Sequence, residues 1–65
     1  MAEINIKRIR QTAELSQQAL ADLAGVAQTE VSKIERGERR PKIRTMKRIA
    51  AVLGFDWQKF YEGDE

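Results

Sequence analysis

The residues best placed to do chemistry lie between positions 28 and 36. Gln28, Thr29, Ser32, Lys33 and Arg36 bring an amide, two hydroxyls, an ammonium and a guanidinium. At about 100° per residue they share one side of a helix. Ala27, Val31 and Ile34 fall on the other side, with Glu30 and Glu35 at the two boundaries. Such a face recognises a partner by hydrogen bonds and does not react with it. Its amide and hydroxyls donate and accept, and its two cations only donate. Catalysis has little to work with. The chain has no histidine, no cysteine and no glycine-rich phosphate loop, and its carboxylates do not cluster as metal ligands or an acid–base pair. The sequence therefore predicts no enzyme and no metal or cofactor, and no small-molecule site is evident. The competing reading is an ordinary solvated helix face, and the elements around it must decide.

Those elements are short helices. Ser16 is a good cap for a helix over Gln17 to Ala24, in which Leu20, Leu23 and Ala24 face a core. Ala21 is small enough to let the next helix approach closely. Gly25 supplies the permissive backbone after that helix. Two helices joined by a glycine turn, the second polar on its outer side, form the pattern of a helix-turn-helix. In that motif the second helix enters the DNA major groove. A first helix over Asn5 to Thr12 follows from Ile6, Ile9 and Ala13 at helical spacing, with Asn5 as its cap. Gly37 ends the third helix, and Pro41 breaks the loop after it. Ile43, Met46, Ile49, Ala50 and Leu53 mark a fourth helix closed by Gly54. Asp56 caps a short fifth from Trp57 to about Tyr61. No strand pattern appears.

The expected fold is thus all-α, five short helices in a single domain over 1–65, structured over about 5–61 with a frayed acidic end at 62–65. Its core draws on Ile6, Ile9, Ala13, Leu15, Leu20, Ala24, Val26, Val31, Ile34, Ile43, Ile49, Leu53 and Trp57 or Phe60. Trp57, Phe60 and Tyr61 suit either core closure or a dimer surface. A chain of 65 residues buries only about 60% of its unfolded surface, so its stability is modest. The absence of cysteine fits a reducing compartment. No apolar run reaches the ~18 residues of a membrane span, and the stretch MAEINIKR lacks the apolar core expected of a signal peptide. A cytoplasmic protein is expected.

The formal net charge of +2 hides a segregation. Lys33 to Arg48 holds eight basic and two acidic residues, a local excess of +6 that leaves −4 for the remainder. A basic stretch beside an acidic end suggests a polyanionic partner. A solvated basic surface explains the charge alone equally well.

The strings IKRIR, LSQQALA, AGV, VSKIERGERRP and RTMKRIAAVLG resemble the lambda-repressor/Cro-type helix-turn-helix domain, the XRE family, from Ile6 to about Phe60. The resemblance implies a compact lambda-repressor-like fold and sequence-specific binding of double-stranded DNA, usually as a homodimer on a palindromic operator. It implies that Gln28, Thr29, Ser32 and Lys33 read bases. Glutamine pairs with adenine N6 and N7, and lysine donates to guanine O6 or N7. It implies phosphate contacts from Gln17, which also supports Gln28, and from Arg36, Arg39, Arg40, Lys42 and Arg44. It implies an internal ion pair between Arg10 and Glu35. Three positions depart from the family pattern. Ala27 and Lys42 stand where a hydroxyl usually caps helices three and four, and Glu14 replaces a usual glycine.

The leading expectation is a transcriptional regulator, a repressor or Cro-like switch. An antitoxin or restriction–modification controller regulating its own operon fits the same residues. A protein-interaction module that kept the fold is the alternative of another class. It would show apolar or acidic residues on the outer face of the third helix, where this chain has amides, hydroxyls and Lys33.

Overall fold

The computed structural model describes residues 5–62, with side chains for 5–60. Five helices are present among them: α1 (Ile6–Thr12), α2 (Gln17–Ala24), α3 (Gln28–Glu35), α4 (Ile43–Leu53) and α5 (Trp57–Glu62). Their starts follow from side chains that satisfy the free N–H groups of a first turn. Asn5 Oδ1 accepts from the Arg8 N–H at 3.0 Å, Ser16 Oγ from Ala19 at 3.0 Å and Asp56 Oδ1 from Gln58 at 3.0 Å. Ala27 and Lys42 begin α3 and α4 without a side-chain cap.

The turn between α2 and α3 needs a left-handed residue. Gly25 adopts φ 71°, which lets the Val26 N–H reach back to the Ala21 carbonyl at 3.0 Å. After α1 the same kind of turn falls to Glu14, at φ 61°, where a side chain costs what glycine would not.

The core forms where α2 packs on α3 and α4. Leu20, Ala21, Val31, Met46 and Ile49 are completely buried, with Ile6, Ala24, Ile34 and Ala50 beside them. Val26, Val52, Leu53, Phe55, Trp57 and Phe60 are partly buried against that cluster. Buried Ala21 and Ala24 keep α2 close to its neighbours, which fixes the angle at which α3 is presented.

Several expected core residues are displaced. Leu23 is 64% exposed, because α2 buries only the arc that holds Leu20, Ala21 and Ala24. Ile43 is 51% exposed as the first residue of α4, at the open end of that helix. Ala27 is exposed because it is the N-cap of α3, with extended backbone to which helical phase does not apply, and Ala13, the C-cap of α1, is exposed as well. Ile9 and Leu15 are half-buried. Met46 is completely buried, although the expected core omitted it, and Pro41 is buried as well. α5 runs to Glu62, and positions 63–65 of the expected acidic end lie outside the described residues.

Candidate nucleic-acid interface

The outer side of α3 carries Gln28, Thr29 and Lys33 exposed, Ser32 half-buried, and Arg36 exposed at the C-cap. Val31 and Ile34 anchor the opposite side in the core. The helix is thus held from behind, and its polar face is free to meet a partner.

Beneath that face runs a chain of polar bonds that starts in the interior. Arg10 is buried at 8% exposure, on the inner side of α1. Its Nε donates to Glu35 Oε2 at 2.6 Å and its Nη2 to Oε1 at 3.1 Å. Its Nη1 donates to the Leu15 carbonyl at 2.8 Å. The fork geometry lets one guanidinium tie α1 to both the α1–α2 turn and the end of α3. The Glu35 side chain is 2% exposed. Burial pushes its carboxyl upward. The bonds from Arg10 and Gln17 and the Arg10 charge outweigh that, and hold the group below its ordinary value.

Gln17, the first residue of α2, extends the chain outward. Its Nε2 donates to Glu35 Oε1 at 3.0 Å, and its Oε1 accepts from Gln28 Nε2 at 3.5 Å. Four residues from three helices are so linked, from a buried arginine to an exposed amide. The last link is at the long limit of a hydrogen bond, so it orients Gln28 without locking it. Most of the Gln17 amide is spent inside the protein. The N-terminal turn of α2 and one remaining N–H of that amide are what it can offer a phosphate.

A second cluster lies at the other end of α3. Arg36 Nε and Nη2 donate to Glu38 at 2.8 and 3.2 Å, and Arg36 Nη1 donates to Ser32 Oγ at 2.7 Å. Glu38 was not foreseen from the sequence. It lies two positions after Arg36, across the left-handed Gly37, a spacing outside the i,i+4 pattern of helix surfaces. Arg39 turns back from the loop to Glu30 on α3, with Nη1 to Oε1 at 3.6 Å. Glu30 therefore faces a basic residue of this chain.

The rest of the basic run divides. Arg40, Lys42 and Arg44 are exposed in the loop and the first turn of α4. Lys47 Nζ sits 5.1 Å from the centre of the Trp57 ring, a cation–π contact between α4 and α5. Arg48 lines a shallow cavity of about 440 Å³ with Asp22, Leu23, Gly25, Ala51 and Val52, between α2 and α4. The structure thus brings together Arg10, Glu35, Gln17 and Gln28 in one group and Ser32 with Arg36 in another. Lys42 and Arg44 stand apart from both groups, exposed at the start of α4.

The helix-turn-helix family model matches residues 6–60, which is nearly all of the described chain. The chain belongs to the XRE-type helix-turn-helix family of DNA-binding transcriptional regulators. Among its helix-turn-helix relatives is the uncharacterized HTH-type transcriptional regulator YqaF of Bacillus subtilis (strain 168). It is 33% identical over 57 residues, which are 88% of this chain and 75% of YqaF. The N-terminal DNA-binding domain of SinR from Bacillus subtilis superposes with a TM-score of 0.82 at 31% identity, covering 92% of this chain and 88% of that one. The restriction-modification controller protein C.AhdI from Aeromonas hydrophila superposes with a TM-score of 0.80 at 27% identity, covering 86% and 85%. No helix among the described residues is long and apolar enough to cross a membrane.

Proposed function

We propose that this chain acts as one DNA-reading unit, a cytoplasmic repressor that binds a palindromic operator as a homodimer and does no catalysis. The observation that carries the proposal is the bonded chain from buried Arg10 through Glu35 and Gln17 to exposed Gln28. A solvated helix face has no need of a support that reaches the interior. A reading helix does, because its side chains must meet base edges in a set geometry.

In this reading Gln28, Thr29 and Lys33 contact bases. Gln28 offers the amide that pairs with adenine, and Lys33 the ammonium for a guanine edge. Gln17 meets a phosphate at the N-terminus of α2. Arg39, Arg40, Lys42 and Arg44 hold the backbone beyond α3. Arg39 gives up a single long contact to Glu30 to do so, which costs little at the surface. Two subunits place their α3 helices about 34 Å apart, in successive turns of the major groove.

The test is selection of bound sequences from a random duplex pool, followed by salt titration on the enriched site. Enrichment of a two-fold motif is expected. With about three phosphates neutralised per subunit, log K against log salt should fall with a slope near about −5. A slope near zero, or no enriched motif, overturns the reading and favours a protein-interaction module. The likeness to C.AhdI supports a narrower version, a controller that regulates its own operon. Binding to the DNA upstream of its own gene is the outcome that version requires.

A further inference from the structure

We infer that Arg36 reads the edge of a guanine and does not grip a phosphate, with Glu38 and Ser32 as the residues that position it. The inference rests on the DNA-binding reading above and adds a base contact at the C-terminal end of α3.

A guanidinium has five N–H donors in a rigid plane. The protein uses three of those of Arg36. Nε and Nη2 each give one to the two oxygens of Glu38, and Nη1 gives one to Ser32 Oγ. One N–H remains on Nη1 and one on Nη2. Two donors on neighbouring nitrogens match a pair of acceptors, and guanine presents O6 and N7 side by side in the major groove. Arg36 sits on the same side of α3 as Gln28, Thr29, Ser32 and Lys33, so its plane belongs to the reading face.

Charge separates the base from the phosphate. Arg36 and Glu38 form a neutral pair, and both side chains are more than half exposed, at 56% and 53%. The carboxylate of Glu38 is itself held below its ordinary value, by the hydrogen bonds from Arg36 first and then by its charge, so it stays ionised at neutral pH. A phosphate approaching Arg36 meets this second negative charge. A neutral pair releases no counterions and adds little to electrostatic affinity. The edge of guanine is uncharged, and the same pair offers it two donors already oriented, with less side-chain freedom left to lose. Ser32 changes role accordingly. Its oxygen accepts from Arg36, so it acts on DNA through that side chain and is a positioning residue.

The experiment uses the full chain and the duplex it selects from a random pool, with Arg36→Ala, Arg36→Lys and Glu38→Gln compared in parallel. Melting curves check that each variant folds, which the exposure of both residues favours. Arg36→Ala is expected to lose preference for guanine at one position of each half-site, and the double variant Arg36→Ala with Glu38→Gln, which leaves no carboxylate unpaired, should keep the salt slope of the parent. Arg36→Lys, which keeps the charge and loses the fork, should lose the same preference. Replacing that guanine by 7-deazaguanine removes N7 and leaves pairing intact. It should weaken the parent roughly tenfold and Arg36→Ala hardly at all. Glu38→Gln frees a cation, so the slope should steepen by about 0.9 for each subunit while discrimination at the guanine falls.

A double variant that binds all sequences more weakly than the parent, with a slope shallower by about 0.9 per subunit, makes Arg36 a phosphate contact and overturns the inference. So does a 7-deazaguanine effect equal in parent and Arg36→Ala, or a Glu38→Gln variant that matches the parent in both measurements. A parent chain that enriches no motif overturns the DNA-binding reading and this assignment with it. A parent that enriches a motif with no guanine in reach of α3 overturns this assignment alone.

Discussion

Glu35 and Arg36 are neighbours in the chain, and each belongs to a bidentate ion pair, yet the two pairs do different work. The Glu35 carboxylate is 2% exposed and is met by a buried arginine from α1. Arg36 and Glu38 stand in solvent, more than half exposed. The same chemistry in two dielectrics gives a clamp in one place and an orienting brace in the other. Removing one partner of the inner pair leaves a charge stranded in the interior. Removing one partner of the outer pair leaves a charge that water accepts. The inner pair is therefore expected to govern stability and the outer pair recognition.

The largest break comes at Glu35. Glu35→Ala strands Arg10 beside the core and removes the bond from Gln17, for an expected loss of about 3 kcal/mol. For a domain of this size that lowers Tm by roughly 15 °C, which a thermal melt followed by circular dichroism reads directly. A melt within a few degrees of the parent would mean that the pair does not hold α1 to α3.

The inner pair also has a signature in acid. The Glu35 carboxyl is held below its ordinary value in the folded chain. Its contribution is complete above the unfolded value of 4.5 and is lost as pH falls through the folded value. Stability should decline below about pH 4.5 more steeply in the parent than in Glu35→Gln, whose amide does not titrate. Chemical denaturation between pH 3 and pH 7 measures the difference, and parallel acid limbs would contradict it.

How much of this was legible in the sequence depends on the range of the interaction. The helix starts were legible because a cap is a local event, as at Asn5, Ser16 and Asp56. The turn at Gly25 was legible for the same reason. The Arg10–Glu35 pair spans 25 positions, and only the resemblance to a known family pointed to it. Periodicity placed Leu23 and Ile43 inward because it shows which face is apolar and not how much of that face a neighbour covers. Met46 marked α4 but was left out of the expected core, and only the packing of α2 on α4 shows it fully buried. Glu38 escaped notice because the turn at Gly37, and no helical spacing, brings it to Arg36.

Gln17 joins the inner pair to the reading face, so its removal sharpens the comparison. Gln17→Ala leaves Glu35 its two bonds from Arg10 and takes away one from an amide. The expected cost is about 1 kcal/mol, a fraction of that at Glu35. Its effect on DNA should be larger in proportion, because Gln28 loses the side chain that orients it. Preference at the base that Gln28 contacts should weaken while phosphate binding by the loop persists. A variant that melts like the parent and selects the same motif would show that the link at 3.5 Å carries no orientation.

The smallest expected effect is the one that sets the outer pair apart. Glu38→Gln removes the charge of the pair and one of the two acceptors that meet the Arg36 fork. Yet Arg36 keeps Ser32 and gains water, and nothing buried is exposed or stranded. Tm should move by no more than about 2 °C, and raised salt should narrow even that difference, since solvent screens the pair. A drop approaching that of Glu35→Ala would mean that the turn at Gly37 depends on the pair to close α3, and the division between clamp and brace would fail. An unchanged melt beside altered sequence selection is what the division requires, because a brace at the surface acts only when a partner meets the residue it holds.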